Sequence, residues 1–205
     1  MRRVLVERAA EMLARRQVVT TRTLVEGTGA STMAVYTYFG GMDGLWRAVR
    51  QEGFGRLAER LAAVEPSADP VRDMARLSAA FFSIALDQPN LYRVMFDAAV
   101  ELDDPAAAAA TFEHLVVAAR RAVEAGRFDR RTDPVDLTTR WWAFGHGLVS
   151  LVVAGVLPVE AIDQHVVPVS VALLVAAGDE PVRCRRSVRA GWRDVSLQPL
   201  VPPDR

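Results

Sequence analysis

Residues 29–46 read GASTMAVYTYFGGMDGLW, and two short signals frame them. Ser31 can cap a helix of about two turns, from Thr32 to Phe39, which Gly40-Gly41 then break. A longer helix follows from about Asp43 to Val64. Within the short helix, Ala34, Val35 and Phe39 have the spacing of a buried face. Thr32, Met33, Tyr36, Thr37 and Tyr38 are left on the other side.

Upstream, Thr20 can cap another short helix carrying Leu24 and Val25, ended by Gly27 and Gly29. Before it, Leu5, Ala9, Met12 and Leu13 recur at i, i+4, i+7 and i+8, the pattern of a helix over about 3–16. Two short helices across a tight glycine turn form a helix-turn-helix, whose second member lies in the major groove of DNA. Phenols on its outer face have work available there. A tyrosine hydroxyl reaches a phosphate oxygen while its ring braces the helix. Thr20 and Thr21 supply neutral phosphate ligands, Arg22 a charged one and Arg47 a weaker candidate. The short helix has no charge and no Asn or Gln, so it lacks the bidentate readers of guanine and adenine. Thymine methyl contacts and the hydroxyls of Thr32 and Thr37 remain.

The charge distribution agrees. The 205 residues carry no formal net charge, yet residues 1–50 hold eight arginines against four carboxylates. A basic first quarter on a mildly acidic body suits a polyanion partner. Every cation is arginine. Cys184 is alone, which excludes an internal disulfide and fits a reducing cytoplasm. The N-terminus carries charges inside its apolar pattern and no cleavage site, so it does not read as a signal peptide. No full charge lies between Arg140 and Glu160, but His146, Ser150, three glycines and Pro158 interrupt that run. Buried helices at an oligomer core explain it better than a membrane span.

Strand alternation is nearly absent, and acid or amide followed by proline marks helix starts: SADP, DQP, DDP, TDP and DEP. The chain therefore reads as all-α, with about ten helices. We expect a DNA-binding domain over 1–48, a ligand-binding and dimerisation domain over 49–192, and a Pro-rich tail over 193–205.

Residues 4–49 resemble the N-terminal domain of the tetracycline-repressor (TetR) family. The resemblance lies in AAEML, TTRTLVEGTGAS, VYTYF and GLW, in that order. QPNLYRVMFD (88–97), WWAFGHGLVSL (141–151) and AAGDEPVRCRRSVRAGW (176–192) resemble the C-terminal domain of a subgroup with a Trp…His-Gly signature. Val25, Thr28 and Met42 depart from the family pattern, the last removing a basic phosphate contact. The resemblance implies a bacterial, cytoplasmic, homodimeric regulator without enzymatic activity or cofactor. It would bind an operator in double-stranded DNA, most simply as a repressor, until a small ligand occupies the C-terminal domain. The rival from another class is a helical enzyme or small-molecule carrier.

A preformed apolar site among helices is the usual ligand site. Its candidate lining is Phe81, Phe82, Tyr92, Met95 and Phe96, then Phe112, Trp141, Trp142, Phe144 and His146, which favours a hydrophobic effector. Leu137, Leu148 and Leu151 recur helically, as do Ile162, Val166, Val169 and Leu173. These two helices are apolar nearly all round, so we expect a partner subunit to cover one face. Pro168 should kink or shorten the second of them. His146 with Ser150 and Asp163 does not make a hydrolytic triad, because side chains on one helix provide no oxyanion site. No metal-ligand spacing appears among His114, His146, His165 and Cys184.

Overall fold

The computed structural model describes residues 1–194. It contains α1 (Arg2–Ala14), α2 (Thr21–Val25), α3 (Thr32–Phe39), α4 (Met42–Ala62) and α5 (Pro70–Asp87). These are followed by α6 (Pro89–Met95), α7 (Pro105–Glu124), α8 (Pro134–Val153), α9 (Glu160–Ala176) and α10 (Pro181–Asp194). No strand occurs among the described residues, and the fold is all-α. Apart from Arg193 and Asp194, which close α10, the expected Pro-rich tail lies outside the described residues.

The acid-before-proline signals work as caps. Asp69 accepts from the N–H groups of Val71 and Arg72, and Asp133 from those of Val135 and Asp136. Asp104 accepts from Ala106, and Glu180 from Val182 and Arg183. Each satisfies donors that the first helical turn leaves free. Gln88 is the exception, with no side-chain cap bond. α9 runs through Pro168 without ending, at the cost of one helical N–H. No helix among the described residues is long and apolar enough to cross a membrane.

The contacts divide the chain into two units. The first comprises residues 1–59 and 87–110, so it extends past residue 48 and takes in α6. Leu5, Leu24, Val35, Leu45 and Val49 are fully buried in it, each contributing roughly 1.5–3 kcal/mol of burial. α6 packs on α1, where the Asn90 amide donates to the Leu13 carbonyl at 2.6 Å. It also meets α4: Arg50 Nε donates to the Met95 carbonyl at 2.8 Å, and Phe96 lies 5.5 Å from Phe54, edge to face. Gly53 permits this approach. A Cβ there would stand 2.5 Å from Cγ of the buried Met95.

Among the described residues, the second unit holds 60–86 and 111–194. Its centre is α5, buried along most of its length. The Trp141 indole of α8 donates to Ser78 at 2.7 Å, and Gly145 lets α8 come against Phe82. Gly191 of α10 sits against the backbone of Arg72 and Arg76. Arg127, after α7, ties the unit together. Its guanidinium donates twice to Asp179, at 2.9 and 2.7 Å, and once to Asp69 at 2.6 Å. Ser187 adds a 2.6 Å bond to Asp69, and Arg183 a 3.0 Å bond to Asp179. Burial would raise the Asp69 carboxyl, but the bonds from Ser187 and Arg72 and the Arg127 charge outweigh it and hold the group below its ordinary value. Burial pushes the neighbouring Cys184 thiol up to about 12, so it is an inert packing group.

Candidate nucleic-acid interface and aromatic cluster

In the first unit, α2 starts with reciprocal bonds between Thr20 and Thr23. The Thr20 hydroxyl accepts from the Thr23 N–H at 3.2 Å, and the Thr23 hydroxyl from the Thr20 N–H at 2.9 Å. Thr23 completes the cap, and its T-x-x-T spacing was the signal available in sequence. Gly27 and Gly29 both sit in the left-handed region, at φ 73° and 74°, where a β-carbon would strain the turn. Ser31 then occupies the N-cap of α3 in extended backbone, without a side-chain cap bond. Gly40, left-handed at φ 72°, returns its N–H to the Tyr36 carbonyl and closes the helix.

α3 turns Val35 and Phe39 inward, and the Arg2 guanidinium lies 5.4 Å from the Phe39 ring centre. Its other side is open. Met33 is 65 % exposed, Tyr36 56 % and Tyr38 45 %, with Thr32 and Thr37 also exposed. The Thr37 hydroxyl donates to the Met33 carbonyl at 3.0 Å. In that rotamer it offers a base edge only lone pairs, so it acts as an acceptor. Thr20 and Arg22 are exposed, and Thr21 is half-buried.

Arg47 is placed differently from the other candidates. Its guanidinium lies 3.9 Å from Glu101 and 3.7 Å from Asp103, in the stretch joining α6 to α7. Neither acid was singled out from sequence.

Of the ten aromatic, Met and His candidates, three lie in the first unit. Tyr92 and Met95 are buried there, and Phe96 stacks at a tilt on Tyr92 at 4.9 Å. The other seven belong to the second unit. Phe82 and Trp141 are core, 2 % and 3 % exposed. Phe81, Phe112, Trp142, Phe144 and His146 are half-buried. Four of these form a string: Phe112 edge-on to Trp142 at 6.4 Å, Trp142 stacked on His146 at 5.1 Å, and His146 beside Phe81 at 6.5 Å. Burial disfavours the imidazolium and holds His146 below its ordinary pKa. A neutral imidazole offers one donor and one acceptor. Two further polar groups of this unit escaped sequence reasoning. The Thr138 hydroxyl and the Trp192 indole N–H are buried without a hydrogen-bond partner. The Trp192 ring stands 5.1 Å from Phe82.

On α8 and α9, Leu137, Leu148, Ile162 and Val166 are buried in their own unit. Leu151 is 43 % exposed, and Val169 and Leu173 are half-buried. A separate open groove of about 610 Å³ runs between α9 and α10, floored by Val167, Val171 and Val175 and rimmed by Asp163, Arg185 and Arg189. None of the ten candidates borders it. No cluster of metal-ligating side chains occurs among the described residues.

Comparison with known proteins adds three findings. The family model for the "Tetracyclin repressor-like, C-terminal domain" matches residues 74–180. No curated protein matches the chain. Several solved structures share the fold. A protein of unknown function from Rhodococcus sp. RHA1 is 25 % identical over 87 % of this chain and 95 % of its own, with a TM-score of 0.73. A protein described as a "putative TetR-family transcriptional regulator from Rhodococcus sp." is 19 % identical over 84 % and 98 %, with a TM-score of 0.66. RolR in complex with resorcinol is 18 % identical over 97 % and 95 %, with a TM-score of 0.64. The family model spans more than half of the residues, and the chain belongs to the tetracycline-repressor family.

Proposed function

We propose that this protein is a cytoplasmic, dimeric repressor whose hold on its operator is released by a small hydrophobic molecule, and that it catalyses no reaction. The observation that carries the DNA-binding part is the division of α3. Val35 and Phe39 face the core, while Thr32, Met33, Tyr36, Thr37 and Tyr38 are exposed. Exposing so much aromatic and thioether surface on eight residues has no packing return in the free chain. Laid in a major groove, the same face gives methyl and hydroxyl contacts to base edges and phenol contacts to phosphates. Thr20, Thr21 and Arg22 would flank it on the backbone.

Phe81, Phe112, Trp142 and His146 support an uncharged, partly aromatic effector, with the neutral imidazole as its polar anchor. The RolR neighbour, solved with resorcinol, is consistent with that chemistry. A strongly charged metabolite would need fixed countercharges that these four residues lack. Leu151, Val169 and Leu173 are the members of the α8 and α9 set available to a partner subunit. Two-fold pairing through them would present two copies of α3 to half-sites about 34 Å apart.

Fluorescence anisotropy on the DNA flanking the protein's own gene tests the reading. Tyr38→Ala and Arg22→Ala should weaken binding to all duplexes, and Arg22→Ala should also flatten the salt dependence. Thr32→Ala and Thr37→Ala should change which sequence is preferred. Unaltered affinity and preference in all four variants would rule out α3 as the reader.

A further inference from the structure

The stretch joining α6 to α7 is acidic. Asp97, Glu101, Asp103 and Asp104 fall within eight residues, and all of them belong to the same unit as α3 and as α4 up to Glu59. The four carboxylates divide their tasks. Asp97 accepts from the Ala99 N–H at 2.9 Å and shapes the turn. Asp104 accepts from the Ala106 N–H at 2.9 Å and caps α7. The stretch is also moored to α4, since the Asp104 N–H donates to the Gln51 side chain at 3.1 Å. Glu101 and Asp103 have no such local duty. Both reach Arg47, one turn before Gln51 on α4.

These two ion pairs are poor devices for stability. They are long, at 3.9 and 3.7 Å, and their carboxylates are 84 % and 52 % exposed. Pairs of that kind contribute little to folding and are screened by salt. What suits them badly to holding a fold suits them to exchange: another anion can replace them at small cost. Arg47 stands only five residues into the helix that follows α3, about 7.5 Å along its axis. A duplex on α3 would bring phosphates to that end of α4.

We propose that residues 97–104 form a built-in competitor for the DNA backbone. Glu101 and Asp103 hold the Arg47 guanidinium in the free protein, and a phosphate displaces them on the duplex. This inference rests on the DNA-binding reading above. The competitor lowers non-specific affinity, because every duplex must displace the same carboxylates. It leaves sequence preference to α3.

The test uses the full chain and a labelled duplex of mixed sequence, titrated by anisotropy from about 50 to about 200 mM KCl. Glu101→Gln with Asp103→Asn should bind more tightly than wild type. Its log–log salt dependence should be steeper than that of wild type, because salt screens the Arg47 pairs and so relieves in wild type a competition that the variant lacks. Its advantage should therefore be largest at about 50 mM KCl and shrink toward about 200 mM. Adding Arg47→Ala to the pair should abolish the gain. Each single neutralisation should show a part of it, and all variants should melt within a few degrees of wild type because the pairs are exposed. An unchanged slope in the double variant overturns the proposal. So does a gain that survives Arg47→Ala, which would mark a general field effect. If Tyr38→Ala weakens binding while the double variant behaves as wild type, the DNA reading stands and only the competitor fails. A wild type that binds no duplex at any salt overturns both.

Discussion

Replacing Arg127 by Met isolates what the buried ion network contributes. The Arg127 side chain is 8 % exposed and that of Asp179 is 0 % exposed. The change removes two hydrogen bonds from a carboxylate with no access to water. Breaking one partner of a buried pair typically costs about 3–5 kcal/mol, most of it the penalty of the stranded charge. Two features place this case near the lower bound. Arg183 still reaches Asp179 at 3.0 Å, and Asp69 keeps its bonds from Ser187, Val71 and Arg72. About 3 kcal/mol, in a unit of somewhat more than 100 residues, lowers Tm by on the order of 10 °C. Calorimetry of the full chain should show this. Adding Asp179→Asn should recover much of the loss, since the orphaned charge is gone although the bonds are not. A melt within about 2 °C of wild type for Arg127→Met would refute the reasoning, as would a double variant no better than the single one.

Gly53→Ala would gain about 1 kcal/mol of helix propensity and lose about 1–3 kcal/mol to the clash with Met95. A lower melting temperature is expected, and a higher one would show that α6 yields. Leu151→Glu with Val169→Glu should halve the mass measured by light scattering if α8 and α9 form the subunit interface, with helicity retained. The depressed pKa of His146 means that its contribution to stability is present above the ordinary imidazole value and is lost as pH falls through the lower folded value. His146→Leu should therefore flatten the stability profile on the acid side of the ordinary imidazole value, and it should weaken any effector that uses the imidazole. A profile as steep as wild type's would show that other groups set it.

The fold was readable where the signals are local. α3 starts and stops at the cap and glycine positions that residues 29–46 prescribe, and four of the five proline-marked starts carry the expected acidic cap. Such signals act over three or four residues, so a sequence displays them whole. Contacts between distant segments are a different matter. Nothing in PNLYRVM indicates that Asn90 bonds to the carbonyl of Leu13, because the information resides in the shape of both surfaces. Nothing in the residues around Arg127 indicates its two carboxylate partners, which lie 58 and 52 residues away. The aromatics show the same limit. Trp141 and Trp142 are adjacent, yet one is locked to Ser78 in the core and the other stacks half-buried on His146. Periodicity alone does not say which side of α8 receives α5.

The placement of α6 bears on how this protein can be cut and recombined. A fragment ending near residue 48 would contain the helix-turn-helix but not its cover. Leu91, Tyr92 and Met95, all nearly inaccessible in the intact chain, would be missing, and the face of α1 on which α6 packs would lose its cover. The apolar ground left bare would favour aggregation over a working DNA reader. A chimera that lends this specificity to another regulator must therefore carry two separate pieces of sequence, through about Glu59 and again from Asp87 to Ala110. The exchangeable module is discontinuous in the gene, and recombination at a single crossover would not transfer it.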